Sequence, residues 1–180
     1  MTLAYTLNEN GIALSDLNFD TSIAFASMNG AFISGIGDYV TVFEPSGLQL
    51  EKEGYGYVVA SLGKLGGEVP YTSFQAKKSY IEKNENVIKG FSKAIQKALD
   101  YTFSHTDKEV AEKLISYFPD TSLEDLEEVI KRYRENDSWY ETTFITEEGF
   151  NRVKDIMKNS DKLSNDVDYS VLVNTKFAKK

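Results

Sequence analysis

Short apolar runs alternate with short helical patterns over the first 68 residues, and this alternation constrains the fold more than any other feature. The run "YVTVF" (39–43) is rich in β-branched and aromatic residues and lies between Asp38 and Glu44. It shows no alternation of polar and apolar positions, as expected for a strand covered on both faces of a parallel sheet. Further strands are predicted at 17–19, 55–63 and 71–76. The pattern predicts an α/β fold with a small parallel sheet.

Helix-end signals separate these strands. Asp20, Thr21 and Ser22 precede the apolar segment 23–34 and are good N-cap residues for a helix there. Pro45 is predicted at the first position of the next helix. Glycines are predicted to end three helices of this part of the chain: Gly11, Gly35 and Gly54.

The segment "GKLGGEVP" (63–70) is the clearest boundary, because glycines, a proline and mixed charges interrupt the pattern. Beyond the strand at 71–76 the chain is predicted to be helical. Thr106 followed by Glu109 predicts a capping box, and Ser122 with Asp125 predicts a second cap of this kind. Apolar residues of the 85–105 helix lie close to one stripe: Val87, Phe91, Ile95, Ala98 and Phe103.

Composition excludes several classes of function. The chain has 180 residues, 41% of them hydrophobic, and a formal net charge of −8. That acidity argues against a nucleic-acid partner, since phosphate binding needs a basic surface. No cysteine is present, so disulfides and thiolate chemistry are excluded. No run approaches the roughly 20 apolar residues of a membrane span, and no signal peptide is recognisable.

Asp38 and Glu44 are not expected to form a catalytic pair. Six residues of strand at about 3.3 Å each would place them roughly 20 Å apart, whereas paired glycosidase carboxylates need about 5 to 9.5 Å. Asp38 is interpreted as a structural residue. Glu44 would lie at the carboxyl end of its strand beside a helix N-terminus, where it either lines a ligand cleft or caps the helix.

Two other polar features remain candidates. The hydroxyls at Thr21 and Ser22 either cap the following helix or face a small ligand at the same edge of the predicted sheet. His105 is the only histidine and is predicted at a helix C-terminus, where its partial charge suits the helix dipole. With no cysteine and no second histidine, neither a histidine-rich metal site nor a Ser-His-Asp triad is predicted. No metal, cofactor or catalytic residue is therefore expected.

The order of motifs resembles the periplasmic-type substrate-binding proteins of ABC importers, in the SsuA/THI5-like or NMT1-like group. This group handles nitrate, sulfonates, taurine and thiamine-pyrimidine precursors. The resemblance rests on a small-residue helix end with Ala31, Gly35 and Asp38, the 39–43 strand, and the aromatic-Glu-Pro turn Phe43-Glu44-Pro45. A later match is "KKSYIEKNENVIKGFSKAIQKAL" (77–99).

The resemblance implies a partial fold of the type II periplasmic-binding-protein kind. Residues 1–66 would form a small parallel-sheet α/β lobe two, incomplete at its N-terminus. Residues 67–77 would form the hinge and return strand, and residues 78–180 the mainly helical C-terminal part of lobe one. The chain is expected to be the second half of such a protein. Apolar surfaces facing the first half are then expected to be covered by self-association, a swap between molecules or rearranged helices.

The function implied by the resemblance is non-catalytic binding of a small organic solute, such as a sulfonate, a taurine-like compound or a pyrimidine precursor. An ABC permease would be the partner, at an extracytoplasmic, membrane-associated or periplasmic location. Pyrimidine-precursor synthesis, known in one branch of the group, and a non-binding interaction fragment are the alternatives. The ligand-binding residues implied by the resemblance are Thr21, Ser22, Phe43, Glu44, Tyr71 and Thr72.

Overall fold

Regular secondary structure in this protein is helical wherever the computed structural model describes the chain, which is residues 1–179. The helices are α1 (Thr2–Glu9), α2 (Met28–Ile33), α3 (Ser46–Lys52), α4 (Leu62–Gly66), α5 (Lys78–Lys83), α6 (Glu85–Ser104), α7 (Asp107–Leu114), α8 (Leu123–Glu135), α9 (Glu147–Lys158) and α10 (Tyr169–Leu172). Short 3-10 turns lie at Leu14–Asp16, Phe25–Ser27 and Ile115–Tyr117. Across residues 1–179, no helix has both the length and the apolar character needed to cross a membrane.

The hydrophobic core lies between α7 and α8. Val110 and Ala111 on α7 pack against Leu126 and Ile130 on α8, and all four side chains are buried. Burial of one such aliphatic side chain contributes about 1.5–3 kcal/mol. Partly buried residues close the edges of this core: Tyr101, Leu114, Ile115 and Trp139. The C-terminal helices therefore hold the largest share of the apolar stabilisation.

The predicted caps of α7 and α8 and the predicted terminator glycines are confirmed, whereas Pro45 lies one position earlier than predicted, at the N-cap of α3. Thr106 and Glu109 form a capping box at α7: Glu109 N donates to Thr106 Oγ1 at 3.3 Å, and Thr106 N donates to Glu109 Oε2 at 2.8 Å. At α8, Asp125 N donates to Ser122 Oγ at 3.1 Å. Pro45 lies one residue before the first residue of α3. The three predicted terminator glycines have positive φ just after helices: Gly11, Gly35 and Gly54.

The predicted parallel sheet is wrong. None of the four predicted strands, at 17–19, 39–43, 55–63 and 71–76, forms a β-ladder in residues 1–179, and the last part of the third is α4. The 39–43 run is also not covered on both faces. Its odd-numbered residues are exposed and its even-numbered residues half-buried. The α/β fold class is therefore corrected to a helical one over the described residues.

The physical reason is that a strand is defined by its partner. β-branched and aromatic residues favour a strand only when neighbouring strands satisfy its backbone groups and cover its side chains. Here Tyr39 is 83% exposed and Tyr57 is 88% exposed, so neither run is packed as a buried strand. The apolar composition of these segments predicts burial, but Tyr39 and Tyr57 are exposed.

Two helix predictions need correction. The segment after Asp20 does not begin as a helix at residue 23; a 3-10 turn comes first and α2 starts at Met28. In α6 the predicted apolar stripe is largely exposed, with Val87 at 55%, and the buried side chain is Gln96. Gln96 is satisfied by three hydrogen bonds, two of them to the backbone of the 141–143 loop. That polar anchoring holds α6 to the loop where a hydrophobic contact was expected.

Several contacts join the first part of the chain to the C-terminal helices, including ion pairs of Arg132 on α8 with Glu44 and Glu51. On α3, Lys52 forms an ion pair with Asp125 of α8. In the predicted hinge, Glu68 Oε1 accepts a hydrogen bond from Thr146 Oγ1, the N-cap of α9, at 2.8 Å. These contacts fix the position of the 43–52 region relative to α8. The division into 1–66, 67–77 and 78–180 stays a prediction.

Candidate functional site

Three exposed aromatic rings meet at one place on the surface. The Phe43 ring lies 5.9 Å from that of Phe25 and 5.7 Å from that of Tyr71, in edge-to-face geometry in both cases. Phe25 comes from the 3-10 turn before α2, Phe43 from the segment before α3, and Tyr71 from the predicted hinge and return strand at 67–77. The rings remain between 50% and 69% exposed, so their faces are open to a ligand. We call this set the ring cluster.

A depression of about 330 Å³ adjoins the ring cluster. This volume is near the lower end of the range for small-molecule sites, and suits a ligand of about one ring. The lining residues come from two stretches of chain: Phe25, Ala26, Met28 and Asn29, and Thr41, Val42, Phe43, Glu44 and Ser46. Five of these nine lining residues are apolar and four are polar.

Glu44 is the one charged residue that lines the depression, and both of its oxygens are already bonded. Oε2 accepts a hydrogen bond from Leu48 N at 2.9 Å, which satisfies a free amide at the start of α3. Oε1 accepts one from Arg132 Nη1 at 3.1 Å. The Glu44 side chain is only 12% exposed. Glu44 thus caps α3 and also lines the depression, which joins the two roles left open by the sequence.

Arg132 is the centre of a wider ion-pair network. Besides Glu44, its guanidinium contacts Glu51 of α3 at 2.6 Å and Glu128 of α8 at 3.5 Å. Burial opposes the charge on Arg132, but hydrogen bonds to Glu51 and Glu44 outweigh it, and the pKa of Arg132 is raised. A hydrogen bond from Val58 N, assisted by Arg132, lowers the pKa of Glu51. One positive and three negative side chains leave this neighbourhood with net negative charge.

The structure brings together three of the six residues predicted as ligand-binding. Phe43 and Glu44 line the depression and Tyr71 contacts Phe43. Thr21, Ser22 and Thr72 do not line it. Ser22 N instead donates to Asp20 Oδ1 at 2.7 Å in a local turn, and hydrogen bonds from the Ser22 side chain and backbone lower the pKa of Asp20.

Sequence reasoning missed two important residues, Phe25 and Arg132. Phe25 falls within the segment 23–34 that is predicted as a helix, but it lies in a 3-10 turn and is 67% exposed. For Arg132 the only local signal is Glu128, four residues earlier on α8, because its partners at the site, Glu51 and Glu44, lie 81 and 88 residues away in sequence. An ion pair between residues that are distant in sequence is found only from the folded chain.

His105 has a structural position. It is the C-cap residue of α6, and its ring stacks on Tyr101 at 3.7 Å between centroids. Its Nδ1 lies 3.0 Å from both Tyr101 O and Ser104 Oγ. Among residues 1–179, no three histidine, aspartate or glutamate side chains are grouped so that they could hold a metal ion.

Comparison with known proteins places the chain in a family. The sequence profile of the NMT1-like family matches residues 1–116, and the chain belongs to that family, which confirms the resemblance seen in the sequence. A protein of Bacillus subtilis (strain 168), named "Putative binding protein YtlA", is 38% identical over 177 residues. The match covers 98% of this chain and 53% of that protein, so the chain spans about half the length of this relative. No solved structure matches the chain.

Proposed function

We propose that this chain binds a small organic solute at the ring cluster and does not convert it chemically. The observation that carries the proposal is the convergence of Phe25, Phe43 and Tyr71 beside a depression of about 330 Å³. The printed name of the Bacillus relative, a binding protein, supports the same role.

The chemistry of the site favours a planar, neutral or weakly basic ring as ligand. Edge-to-face rings leave aromatic faces on which a flat ligand can stack, for about 0.5–1.5 kcal/mol per pair beyond area burial. The negative charge around Arg132 disfavours an anion. Among the solutes suggested by the family, a pyrimidine precursor therefore fits this half of the site better than a sulfonate or taurine.

The remaining features of the proposal follow from the family. The chain would act as part of a solute-binding component of an ABC importer, on the extracytoplasmic side, with a permease as partner. Binding is preferred over catalysis because the residues around the depression include no paired base and nucleophile. Residues 1–66 and 78–180 would be two bodies joined at 67–77, with the ring cluster at their junction.

A set of probes with one shared ring tests the proposal. Benzamide, benzamidine and benzenesulfonate have similar size and are neutral, cationic and anionic, and taurine carries no ring. Ligand-observed NMR should detect binding of benzamide and benzamidine, weaker binding of benzenesulfonate, and none of taurine. Phe43→Ala should weaken benzamide binding by about tenfold, because it removes the central ring of the cluster.

The matched control is Phe91→Ala. Phe91 is also an exposed aromatic residue in an edge-to-face pair, with Phe74 at 4.8 Å, but does not line the depression. It should leave benzamide binding unchanged. Failure of the unmodified chain to bind any ring probe, or equal loss in both variants, would refute the proposed site.

A further inference from the structure

Helix α8 reaches the proposed binding site through two adjacent side chains, and Arg132 makes the larger number of contacts. Arg132 spans from α8 to the first part of the chain, and its side chain is about one-fifth exposed. Nη1 donates to Glu44 Oε1 at 3.1 Å and Nη2 donates to Glu51 Oε2 at 2.6 Å. The two terminal nitrogens of the guanidinium therefore bind two different carboxylates, which the forked shape of arginine permits.

Each of these two carboxylates also accepts a hydrogen bond from a backbone amide. The other oxygen of Glu44 accepts from Leu48 N at 2.9 Å, which fixes the turn that carries Phe43. The other oxygen of Glu51 accepts from Val58 N at 2.7 Å, which holds the irregular 56–60 segment against α3. One guanidinium thus positions two pieces of backbone, the first turn of α3 and the irregular 56–60 segment.

The residue next to Arg132 adds a second contact to the same turn. Tyr133 Oη donates to Glu44 O at 3.4 Å, and its ring packs edge-on against Trp139 at 5.5 Å. Trp139 in turn contacts the core between α7 and α8. Arg132 and Tyr133, adjacent residues of α8, therefore connect the turn of Phe43 and Glu44 to the hydrophobic core between α7 and α8.

The charge of Arg132 also matters to a ligand. With Arg132 in place, the Glu44 carboxylate at the wall of the depression is neutralised by a partner 3.1 Å away. Without it, the Glu44 carboxylate at the wall of the depression would lose its charge partner, and a cation would be attracted more strongly than a neutral ligand of the same shape.

We propose that Arg132 is the positioning and specificity-determining residue of the site: it fixes the Phe43-Glu44 turn from α8 and restrains the attraction of cations by Glu44. The inference rests on the proposed function and adds a residue and a selectivity rule to it. Arg132 acts on the ligand through Glu44 and the turn, and is not itself a lining residue.

The decisive variant is Arg132→Met, measured with benzamide and benzamidine on the full chain. We expect benzamide affinity to fall by about three- to tenfold, since the turn loses its anchor. The ratio of benzamidine to benzamide affinity should rise by about three- to tenfold, since the Glu44 charge is released. In the double variant Glu44→Gln, Arg132→Met, this rise in the ratio should disappear. Trp139 fluorescence should shift in the same variants.

Arg134→Met is the matched control on the same helix. Arg134 pairs with Asp107 at 2.7 Å and donates to the carbonyls of Thr102 and His105, so its loss weakens the α6–α8 region without touching the site. It should lower stability and leave the benzamidine-to-benzamide ratio unchanged. An equal ratio in all variants, or the same change in Arg134→Met, would overturn the inference.

A second variant covers loss of folding in Arg132→Met. Arg132→Lys keeps the charge but cannot bridge both carboxylates, so it should retain the native ratio and bind benzamide about threefold more weakly. Unchanged benzamide affinity in a folded Arg132→Lys protein would also overturn the inference. If the unmodified chain binds neither probe, the proposed function itself fails, which is a distinct result.

Discussion

At the scale of single residues, the segment between the two parts of the chain depends on a glycine. Gly67 has φ of 77° and ψ of −179°, a region of backbone conformation that is open essentially to glycine alone. A Cβ at this position would also overlap the guanidinium of Arg152 on α9, although a long side chain can move away. The backbone conformation is therefore the stronger constraint at Gly67.

Gly67→Ala should lower the free energy of unfolding by about 1–3 kcal/mol, because alanine must adopt a strained backbone conformation. The control is Gly63→Ala, inside α4, where a Cβ would meet only Ser61 Oγ at 3.8 Å. That change should be neutral or stabilising by up to about 1 kcal/mol, since alanine favours a helix interior. Urea titrations measure the free energy of unfolding of the two variants. Similar stability of both would contradict the assigned role of Gly67.

Residue roles could be predicted where the cause is local. The caps at Thr106 and Ser122 were predictable because each satisfies a backbone amide three residues away. Arg132 was not predictable, because its function depends on partners that only the folded chain brings near. Glu44 lies between these cases: its cap to Leu48 is local and its ion pair to Arg132 is not.

At the scale of elements, the contact between α3 and α8 is electrostatic. Lys52 and Glu51 of α3 pair with Asp125 and Arg132 of α8. A hydrogen bond from Lys52 lowers the pKa of Asp125 below its ordinary 3.8, and the bond from Val58 N lowers that of Glu51 below 4.5. Lowered carboxylate pKa values mean that the charged forms stabilise the folded state.

The pH dependence of stability follows from these shifts. The contribution of Glu51 and Asp125 should be complete above about pH 5 and lost as the pH falls below 4.5 and through their lower folded pKa values. Glu51→Gln combined with Asp125→Asn should therefore flatten the decline in stability between about pH 5 and pH 3. Thermal unfolding across that range measures it, with Glu135→Gln, an exposed acid of α8, as control. Parallel pH profiles in all three proteins would argue against a stabilising α3–α8 contact.

The elements were predictable to different degrees for a physical reason. The long helices α6, α7, α8 and α9 were predicted because a helix satisfies its backbone within its own segment. The strands were wrong because their hydrogen-bond partners must come from elsewhere in a fold. In α6 even the buried face was missed, since Gln96 is held by hydrogen bonds to a loop that no periodicity reveals.

At the scale of the whole molecule, burial is uneven. The core is formed by α7 and α8, whereas Tyr39, Tyr57 and Val59 in the first part are at least 75% exposed. Exposed apolar side chains that lie together on a surface mark interaction sites. The chain spans 53% of the length of its Bacillus relative, and we propose that a second copy covers this surface when the chain is alone.

The chain should therefore associate as its concentration rises and should bind a hydrophobic dye in its native state. Replacement of Tyr57 and Val59 by Ser should reduce both effects, because it removes exposed apolar area without disturbing the core. Tyr117→Ser is the control, since Tyr117 is 78% exposed on a 3-10 turn beside α7. Sedimentation velocity over a hundredfold concentration range measures the effect. A strictly monomeric chain with no dye binding would contradict self-association.

The location of the core has a consequence for how the molecule opens. A region with few buried side chains unfolds locally at a small fraction of the global free energy, while the packed helices stay intact. The Phe43-Glu44 turn lies in the less protected region yet is tethered to α8 by Arg132 and Tyr133. Part of the binding free energy of a ligand at the ring cluster would then be spent on ordering the site. The measured affinity would equal the intrinsic affinity multiplied by the fraction of molecules in which the site is already ordered.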